Sequence, residues 1–172
     1  MTDIRVEQPR DFAVIKEVND LAFGQEEESE LVAKLRGSDA FIPELSLVAE
    51  NDKQEIIGHI LFSVIHIETA MEAVQSLALA PVAVTPDFQN KGIGSLLIKE
   101  GLKRSKELGY ESVVVLGHSD YYPKFGFTLA SGKGIKAPFD VPDEAFMVME
   151  LQQGALDNAQ GTVRYPEAFL GV

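Results

Sequence analysis

Residues 82–97, VAVTPDFQNKGIGSLL, have the types and spacing of an anion-binding turn. An apolar strand leads into a polar, glycine-rich turn that continues directly into a helical pattern. Gly92 and Gly94 have no Cβ, so the backbone can adopt positive φ and a ligand can approach the main chain closely. The unpaired N–H groups of the first helical turn, together with the helix dipole, attract phosphate. We therefore predict a phosphate-binding site at this turn.

Neither of two common nucleotide-binding motifs fits the turn. A Walker loop requires GxxxxGK[ST], which does not occur in the chain. The dinucleotide fingerprint GxGxxG requires a third glycine where this chain has Leu97. A turn kept only for tight packing would not explain the donor-rich polar run from Gln89 to Lys91 at the start of the helix.

Two segments resemble signatures of the GCN5-related N-acetyltransferases. Residues 89–94, QNKGIG, follow a VAV strand and are similar to the acetyl-CoA signature QxxGxG of that family. Residues 122–127, YPKFGF, are similar to its YxxxGF segment and come in the same order along the chain. The resemblance covers most of the chain up to about Leu151. It implies an N-acetyltransferase with acetyl-CoA as co-substrate.

The resemblance also implies which residues bind the acyl donor. Backbone amides of the turn would hold the pyrophosphate, and the main chain of the preceding strand would hydrogen-bond the extended pantetheine arm. A backbone N–H of that strand could also polarise the thioester carbonyl and stabilise the developing oxyanion. The predicted donor-binding residues are Val82, Ala83, Val84, Gln89, Asn90, Lys91, Gly92, Ile93, Gly94 and Ser95.

Tyr122 is the predicted general acid. It stands where the family has its general-acid tyrosine, four residues before Gly126. A tyrosine with a pKa of about 10 is protonated at neutral pH and can protonate a thiolate whose thiol has a pKa of about 8.5. Two alternatives stay open. Tyr122 could simply pack under the closing strand, or the adjacent Tyr121 could face the donor instead.

The base that takes the proton of the acceptor amine is less clearly indicated. Some family members have a glutamate in the fourth strand, six residues before the position of Val84, where this chain has Ala78. His118 is the predicted second catalytic residue, because an unperturbed imidazole has a pKa of about 6.5. A single loop histidine can equally be structural. The glutamates within residues 26–30 could contact the acceptor or form a solvated helix face.

Composition excludes several other classes of site. Cysteine is absent, which removes disulfides, thiolate metal sites and a cysteine nucleophile, so acyl transfer should be direct. His59 and His66 are seven residues apart in one strand and should lie on opposite faces. No HExxH motif occurs either, and we expect no metal site.

Charge and hydropathy restrict the partners. The formal net charge of −12 argues against nucleic acid, which needs clustered Lys and Arg, and is compatible with a cationic amine acceptor. No apolar run approaches the length of a membrane span, and the N-terminal residues lack a signal-peptide core. We therefore expect a cytoplasmic protein with no membrane partner.

The order of predicted elements is β, α, α, β, β, β, α, β, α, β, β. This order matches the fold of the resembled family: an α/β (α+β) fold with a central mixed, mostly antiparallel sheet flanked by helices. Pro81 lacks an N–H inside the fourth strand, so we expect a bulge just before Val82 and a splay between strands four and five.

The 172 residues are expected to form a single N-acetyltransferase domain, residues 1–172. Its core would be residues 1–151, followed by a C-terminal extension, residues 152–172. The aromatic residues Tyr165 and Phe169 of this extension should fold back on the domain, at a place that the sequence does not indicate.

Two functions are consistent with these observations. The first is acetyl transfer to a primary amine by direct attack in a ternary complex. The alternative is a non-catalytic acyl-CoA-binding or regulatory module of the same fold. The acceptor, a small-molecule amine or a peptide, cannot be identified from the sequence. The resemblance also makes a homodimer possible.

Overall fold

A computed structural model describes residues 2–170 and contains three α-helices and nine strands in that range. The α-helices are α1 (Phe12–Phe23), α2 (Glu27–Arg36) and α3 (Ile93–Glu107). The strands are β1 (Asp3–Val6), β2 (Phe41–Glu50), β3 (Ile56–Thr69), β4 (Ala73–Val84), β5 (Ser112–Leu116), β6 (Thr128–Leu129), β7 (Ile135–Lys136), β8 (Phe146–Glu150) and β9 (Gly161–Arg164). The sequence predicts the fourth strand over Ala73–Val84 and the fifth over Ser112–Leu116, and β4 and β5 have these bounds.

Helix ends follow the local sequence signals. α1 ends at Gly24, which adopts φ 68° and caps the helix through its N–H, as glycine can without steric cost. α2 carries Glu27, Glu28 and Glu30 in its first turn and Lys34 and Arg36 in its last, which complements the helix dipole. No helix within residues 2–170 is long and apolar enough to cross a bilayer.

The strands form one mixed sheet, as expected. The order is β1-β2-β3-β4-β5-β8-β6, and β9 pairs with both β3 and β7. The pairs β4–β5 and β7–β9 are parallel, and the others are antiparallel. The parallel pair β4–β5 is possible because α3 returns the chain between its two strands.

The predicted splay between β4 and β5 is confirmed. The two strands pair only at Leu77 with Val113 and at Ala78 with Val114, so from Leu79 onward β4 has no strand partner on that side within the described part of the chain. The predicted bulge is confirmed as well: Phe62 of β3 pairs with Leu79, whereas Ile60 pairs with Val82, which gives β4 one extra residue there. The edge of the second half of β4 that faces β5 therefore has no strand neighbour among residues 2–170, whereas the other edge stays paired with β3.

Helices cover both faces of the sheet. α3 packs against β2, β3 and β4 through Leu97, Ile98 and Leu102. α1 and α2 cover the opposite face, where Ile15 and Leu35 pack on β2 and β3. α3 crosses β3 at Gly101, where an added Cβ would lie 2.7 Å from Phe62 Cζ and closer still to Cε1. This contact fixes the distance between α3 and the sheet, and thereby the place where α3 begins.

The C-terminal segment extends the sheet. β9 pairs with the distal part of β3, at His66 with Arg164 through Thr69 with Gly161. Tyr165 then lies between Phe139, with ring centroids 5.9 Å apart, and Phe169, at 5.0 Å. This is the place of the aromatic residues that the sequence left unassigned. The sequence analysis missed β7 and β9, because two- and four-residue strands are too short to show a hydrophobic period.

Candidate active site

The glycine-rich turn after β4 is open to solvent and ends at the start of α3. Asn90 adopts φ 63° and Gly92 φ 84°, and this left-handed backbone turns the chain into the helix at Ile93. Among residues 2–170, no backbone or side-chain acceptor takes a hydrogen bond from the main-chain N–H groups of residues 90–95. These donors lie at the positive end of the dipole of a fifteen-residue helix. The turn can therefore bind an anion through its main chain.

The side chain of Gln89 closes the turn. Its Nε2 donates a hydrogen bond of 2.9 Å to the carbonyl of Val84, the last residue of β4. The N–H of Thr85 bonds the carbonyl of Ile57, which keeps the strand end attached to β3. Gln89, the first residue of the QxxGxG segment, therefore has a structural role: its side chain holds the turn against the end of β4.

A cavity of about 580 Å³ opens over this turn. Seven of the predicted donor-binding residues line it, together with Phe88 and two residues that follow β5. The lining residues are Val84, Phe88, Gln89, Asn90, Gly92, Ile93, Gly94, Ser95, Tyr121 and Lys124. Lys91 lies outside the lining, and its Nζ is 5.4 Å from the ring centroid of Phe88. Val82 and Ala83 lie in β4 beside the splay.

A second cleft, of about 620 Å³, lies at the edge of α1 and is lined by charged residues. Three of its charged residues are paired with one another: Arg5 forms ion pairs with Asp11 at 2.8 Å and with Glu50 at 3.1 Å. The Arg5 hydrogen bond lowers the pKa of the Asp11 carboxyl. This cleft presents side-chain charges of both signs, whereas the glycine-rich turn presents a set of main-chain donors.

Tyr122 is buried, with 7% of its surface exposed, and its ring packs against the main chain at the end of β5. A Cβ added to Gly117 would lie 3.0 Å from Tyr122 Cδ2 and would overlap Cε2. Phe127 makes an edge contact with the same ring at 5.7 Å. Burial, followed by the neighbouring Tyr121, raises the pKa of Tyr122 to about 12, so its hydroxyl is protonated at neutral pH.

Tyr121 faces a different part of the site from Tyr122. Its hydroxyl lies 3.3 Å from Ser95 Oγ in the first turn of α3. The ring is held by edge contacts with Tyr122 and Phe125, each with centroids 5.2 Å apart. Lys124 Nζ lies 4.1 Å from the Tyr121 ring centroid. Tyr122 therefore points to the core at Gly117, whereas Tyr121 points to the glycine-rich turn, which we call the phosphate turn.

The remaining candidate catalytic residues are differently placed. His118 is exposed and follows Gly117 directly, and its carbonyl accepts the N–H of Tyr121 at 3.1 Å. Ala78, where some family members have a glutamate, is buried at the last pair of the β4–β5 contact. The glutamates at positions 26, 27 and 30 are exposed. Of the candidate bases, His118 is the one attached to the loop that carries Tyr122.

The two strand histidines lie on opposite faces of β3, as predicted. His66 is exposed, whereas His59 is fully buried between Asn19 Nδ2, at 3.3 Å from Nδ1, and Ser46 Oγ, at 3.0 Å from Nε2. Since the amide nitrogen of Asn19 can only donate, His59 Nδ1 accepts and Nε2 carries the proton. Burial, and then the charge of Arg36, lowers the pKa of His59 to about 3. His59 is therefore a neutral structural residue.

Gly117 and Lys124 belong to the site, but the sequence alone does not predict this. Gly117 directly follows β5, before the loop of the YxxxGF segment, and Lys124 is one of the unspecified positions within that segment. A glycine between a buried strand and a tyrosine-bearing loop was the available signal for the first. Lys124 had no signal, because its position over the cavity depends on how the loop packs.

A sheet that parts between two parallel strands, with an open glycine-rich turn at the start of the following helix, defines the acyltransferase class. Residues 12–127 match the model of the Acetyltransferase (GNAT) family. The chain belongs to this family, and the expected resemblance is confirmed.

Relatives and solved structures agree with this assignment. The chain is 36% identical over 166 residues to "Uncharacterized N-acetyltransferase YhbS" of Escherichia coli (strain K12), covering 96% of this chain and 97% of that protein. It is 39% identical over 135 residues to "Uncharacterized N-acetyltransferase YjhQ" of the same organism, covering 78% and 74%. The chain is thus an acyltransferase of the N-acetyltransferase type.

Two crystal structures share the whole fold. That of YhbS from Escherichia coli in complex with CoA superposes with a TM-score of 0.90 at 33% identity, covering 98% of this chain and 91% of that one. A GNAT family acetyltransferase from Brucella melitensis in complex with acetyl-CoA gives a TM-score of 0.80 at 34% identity, with 98% of each chain covered.

Proposed function

We propose that this protein transfers the acetyl group of acetyl-CoA to a primary amine of a small molecule or a peptide, by direct attack within a ternary complex. The observation that carries this proposal is the parted β4–β5 pair, which leaves one edge of the second half of β4 open beside the glycine-rich turn. An extended, amide-bearing arm with a phosphate group at its end matches such a site in shape and in hydrogen-bonding groups.

The residues present fit acetyl-CoA. The unengaged N–H groups of residues 90–95 provide donors for the diphosphate, and Val82, Ala83 and Val84 offer main chain for the pantetheine arm. Gly94 leaves room at the helix start, where a Cβ would lie 3.3 Å from the Tyr121 hydroxyl. The CoA and acetyl-CoA complexes of the two similar crystal structures support the same ligand.

The chemistry requires a base, an oxyanion donor and an acid. The neutral amine attacks the thioester carbonyl carbon, the C–S bond breaks, the amine loses a proton, and the thiolate gains one. We propose His118 as the acceptor of the amine proton and Tyr122 as the donor of the thiolate proton. A main-chain N–H of β4 would stabilise the oxyanion. The chain contains no cysteine, which removes a cysteinyl acyl-enzyme from consideration.

The raised pKa of Tyr122 limits how it can act. Its hydroxyl stays protonated at neutral pH and is a weaker acid than an ordinary tyrosine. The proton would therefore move late, once the departing sulfur carries nearly full negative charge. Before that point, the hydroxyl would act as a hydrogen-bond donor to the sulfur.

Thiol release tests this proposal directly. Because the protein has no cysteine, a chromogenic thiol reagent reports only the CoA that is released. Purified protein would be mixed with acetyl-CoA and a panel of small amines, amino acids and short peptides. We expect amine-dependent release, reduced by about 100-fold in Tyr122→Phe, in line with the loss of a general acid. CoA binding without release by any amine, and no effect of Tyr122→Phe, would instead indicate the non-catalytic binding module.

His118 requires its own variant. His118→Gln should lower kcat at neutral pH, because it removes the proposed acceptor of the amine proton. His66→Gln, which changes an exposed histidine in β3, is the matched control and should leave kcat unchanged. An unchanged kcat in His118→Gln would assign the proton to another acceptor or to solvent.

A further inference from the structure

The 3-10 helix Tyr122–Phe125, with the preceding Tyr121, lies across the phosphate turn from the start of α3. From this side two polar groups line the cavity, the Tyr121 hydroxyl and the Lys124 ammonium. The glycine-rich turn provides main-chain donors on one side of the cavity only. The two side chains therefore supply donors and charge on the facing side.

The Tyr121 hydroxyl is fixed in place and remains available to a ligand. Its ring is held between Tyr122 and Phe125, and the hydroxyl reaches Ser95 Oγ at 3.3 Å, a long contact for two hydroxyl groups. Gly94, beside Ser95, leaves the space that this hydroxyl needs. A phosphate oxygen at the start of α3 would be a stronger acceptor for the Tyr121 proton than Ser95 Oγ.

Lys124 is a cation without a carboxylate partner. Among residues 2–170, no Asp or Glu oxygen lies within 4.0 Å of its Nζ, although the protein has a net charge of −12. Its nearest described partners are the faces of Tyr121 and Phe125, at 4.1 Å and 5.4 Å. Cation–π contact holds the ammonium beside the cavity and leaves its charge uncompensated.

We propose that Tyr121 and Lys124 bind the diphosphate of the CoA moiety. The two adjacent tyrosines then have different roles: Tyr121 binds the acyl donor, and Tyr122 takes part in the reaction. This inference rests on the proposed function. It adds side-chain ligands from the loop after β5 to the main-chain donors of the turn. It also assigns to Tyr121 a role in affinity and none in proton transfer.

Equilibrium binding tests this assignment without any turnover. CoA, 3′-dephospho-CoA and pantetheine would be titrated into the wild-type protein and variants, by calorimetry for the first two and by ligand-observed NMR for the weaker pantetheine. Tyr121→Phe should weaken CoA and dephospho-CoA equally, by about tenfold for a hydrogen bond to a charged group, and leave pantetheine unchanged. The phenyl ring keeps the aromatic contacts, so the melting temperature should stay the same.

Lys124→Ala should weaken CoA by about threefold at low salt, and the difference should shrink as salt screens the charge. Lys124→Arg should retain affinity. Lys103→Ala is the matched control, since Lys103 is an exposed lysine ten residues after the start of α3, about 15 Å along the helix axis. Its CoA affinity should equal that of the wild-type protein.

Two results would overturn the assignment. Tyr121→Phe could bind CoA as tightly as the wild type, or it could lose pantetheine to the same extent as CoA, which would place its contact on the arm. These results differ from a failure of the proposed function, in which the wild-type protein itself does not bind CoA. If Tyr121→Phe does not fold, the test depends on Lys124→Ala and Lys124→Arg. Equal CoA affinity of Lys124→Ala and the wild-type protein at low salt would then reject the diphosphate contact.

Discussion

The ring of Tyr122 lies directly on the main chain of Gly117. The contact is so close that any side chain at position 117 would overlap the ring. Gly117 directly follows β5, the strand that parts from β4, and Tyr122 begins the 3-10 helix further along the same connection. The missing Cβ therefore sets where the proposed acid lies relative to the gap between the strands.

Gly117→Ala should displace Tyr122 and reduce kcat for acetyl transfer by about 10- to 100-fold, within the range for a misplaced acid. The KM for acetyl-CoA should change little, because Tyr122 does not line the cavity over the phosphate turn. Gly132→Ala is the control, since a Cβ there meets nothing within 4 Å. Steady-state kinetics would measure both variants. An unchanged kcat in Gly117→Ala would show that the rate does not depend on the position of Tyr122.

The pH dependence of the reaction should reflect the raised pKa of Tyr122. The acid must be protonated, and a pKa of about 12 keeps it so at pH 10, where an ordinary tyrosine would be about half ionised. We therefore expect no decline of kcat between about pH 8 and 10 from ionisation of this residue. Tyr122→Phe should lower the whole profile by a constant factor. An alkaline decline near pH 10 that disappears in Tyr122→Phe would contradict the raised pKa.

Gly101→Ala should destabilise the protein although alanine favours helices. The added Cβ would overlap the ring of the fully buried Phe62, and overpacking of a core costs about 1–3 kcal/mol. The gain in helix propensity, about 1 kcal/mol, offsets only part of this. Urea unfolding followed by circular dichroism would measure the change. In a Phe62→Leu background the cost should be smaller, and equal costs in both backgrounds would place the strain elsewhere.

Acid should destabilise the fold through His59. Its pKa is about 3 in the folded protein against about 6.5 in an unfolded chain, so between these values the unfolded state binds one proton more. Stability is therefore fully present above pH 6.5 and should fall by about 1.4 kcal/mol per pH unit between about pH 6 and 5. Glu7 lies 3.9 Å from the ring, but its carboxylate is already paired with Arg36 at 2.9 Å.

Urea midpoints measured across this pH range would test that slope. His59→Asn should be less stable at pH 7 and should show a flatter acid dependence. His66→Gln, in the same strand but exposed, should keep the slope of the wild-type protein. A flat wild-type profile between pH 6 and 5 would show that the folded protein protonates His59.

The sequence determined the elements around the site, because their signals are local. The bounds of β5 follow from its continuous β-branched run, and the start of β4 follows from the polar turn before it. The end of α1 follows from Gly24. The bulge before Val82 follows from Pro81, which cannot donate to a neighbouring strand. The glycine-rich turn follows from the two glycines that permit it.

Only the tertiary structure decided what each tyrosine of the pair faces. Adjacent residues near a 3-10 helix point about 120° apart, so the sequence requires different directions for Tyr121 and Tyr122 without saying which is which. The choice is made by Gly117, which accepts the ring of Tyr122, and by the packing of α3, which brings Ser95 to Tyr121. The residues in these two contacts are 5 and 26 positions apart in the chain. Packing brings them together, so no local sequence pattern indicates the contacts.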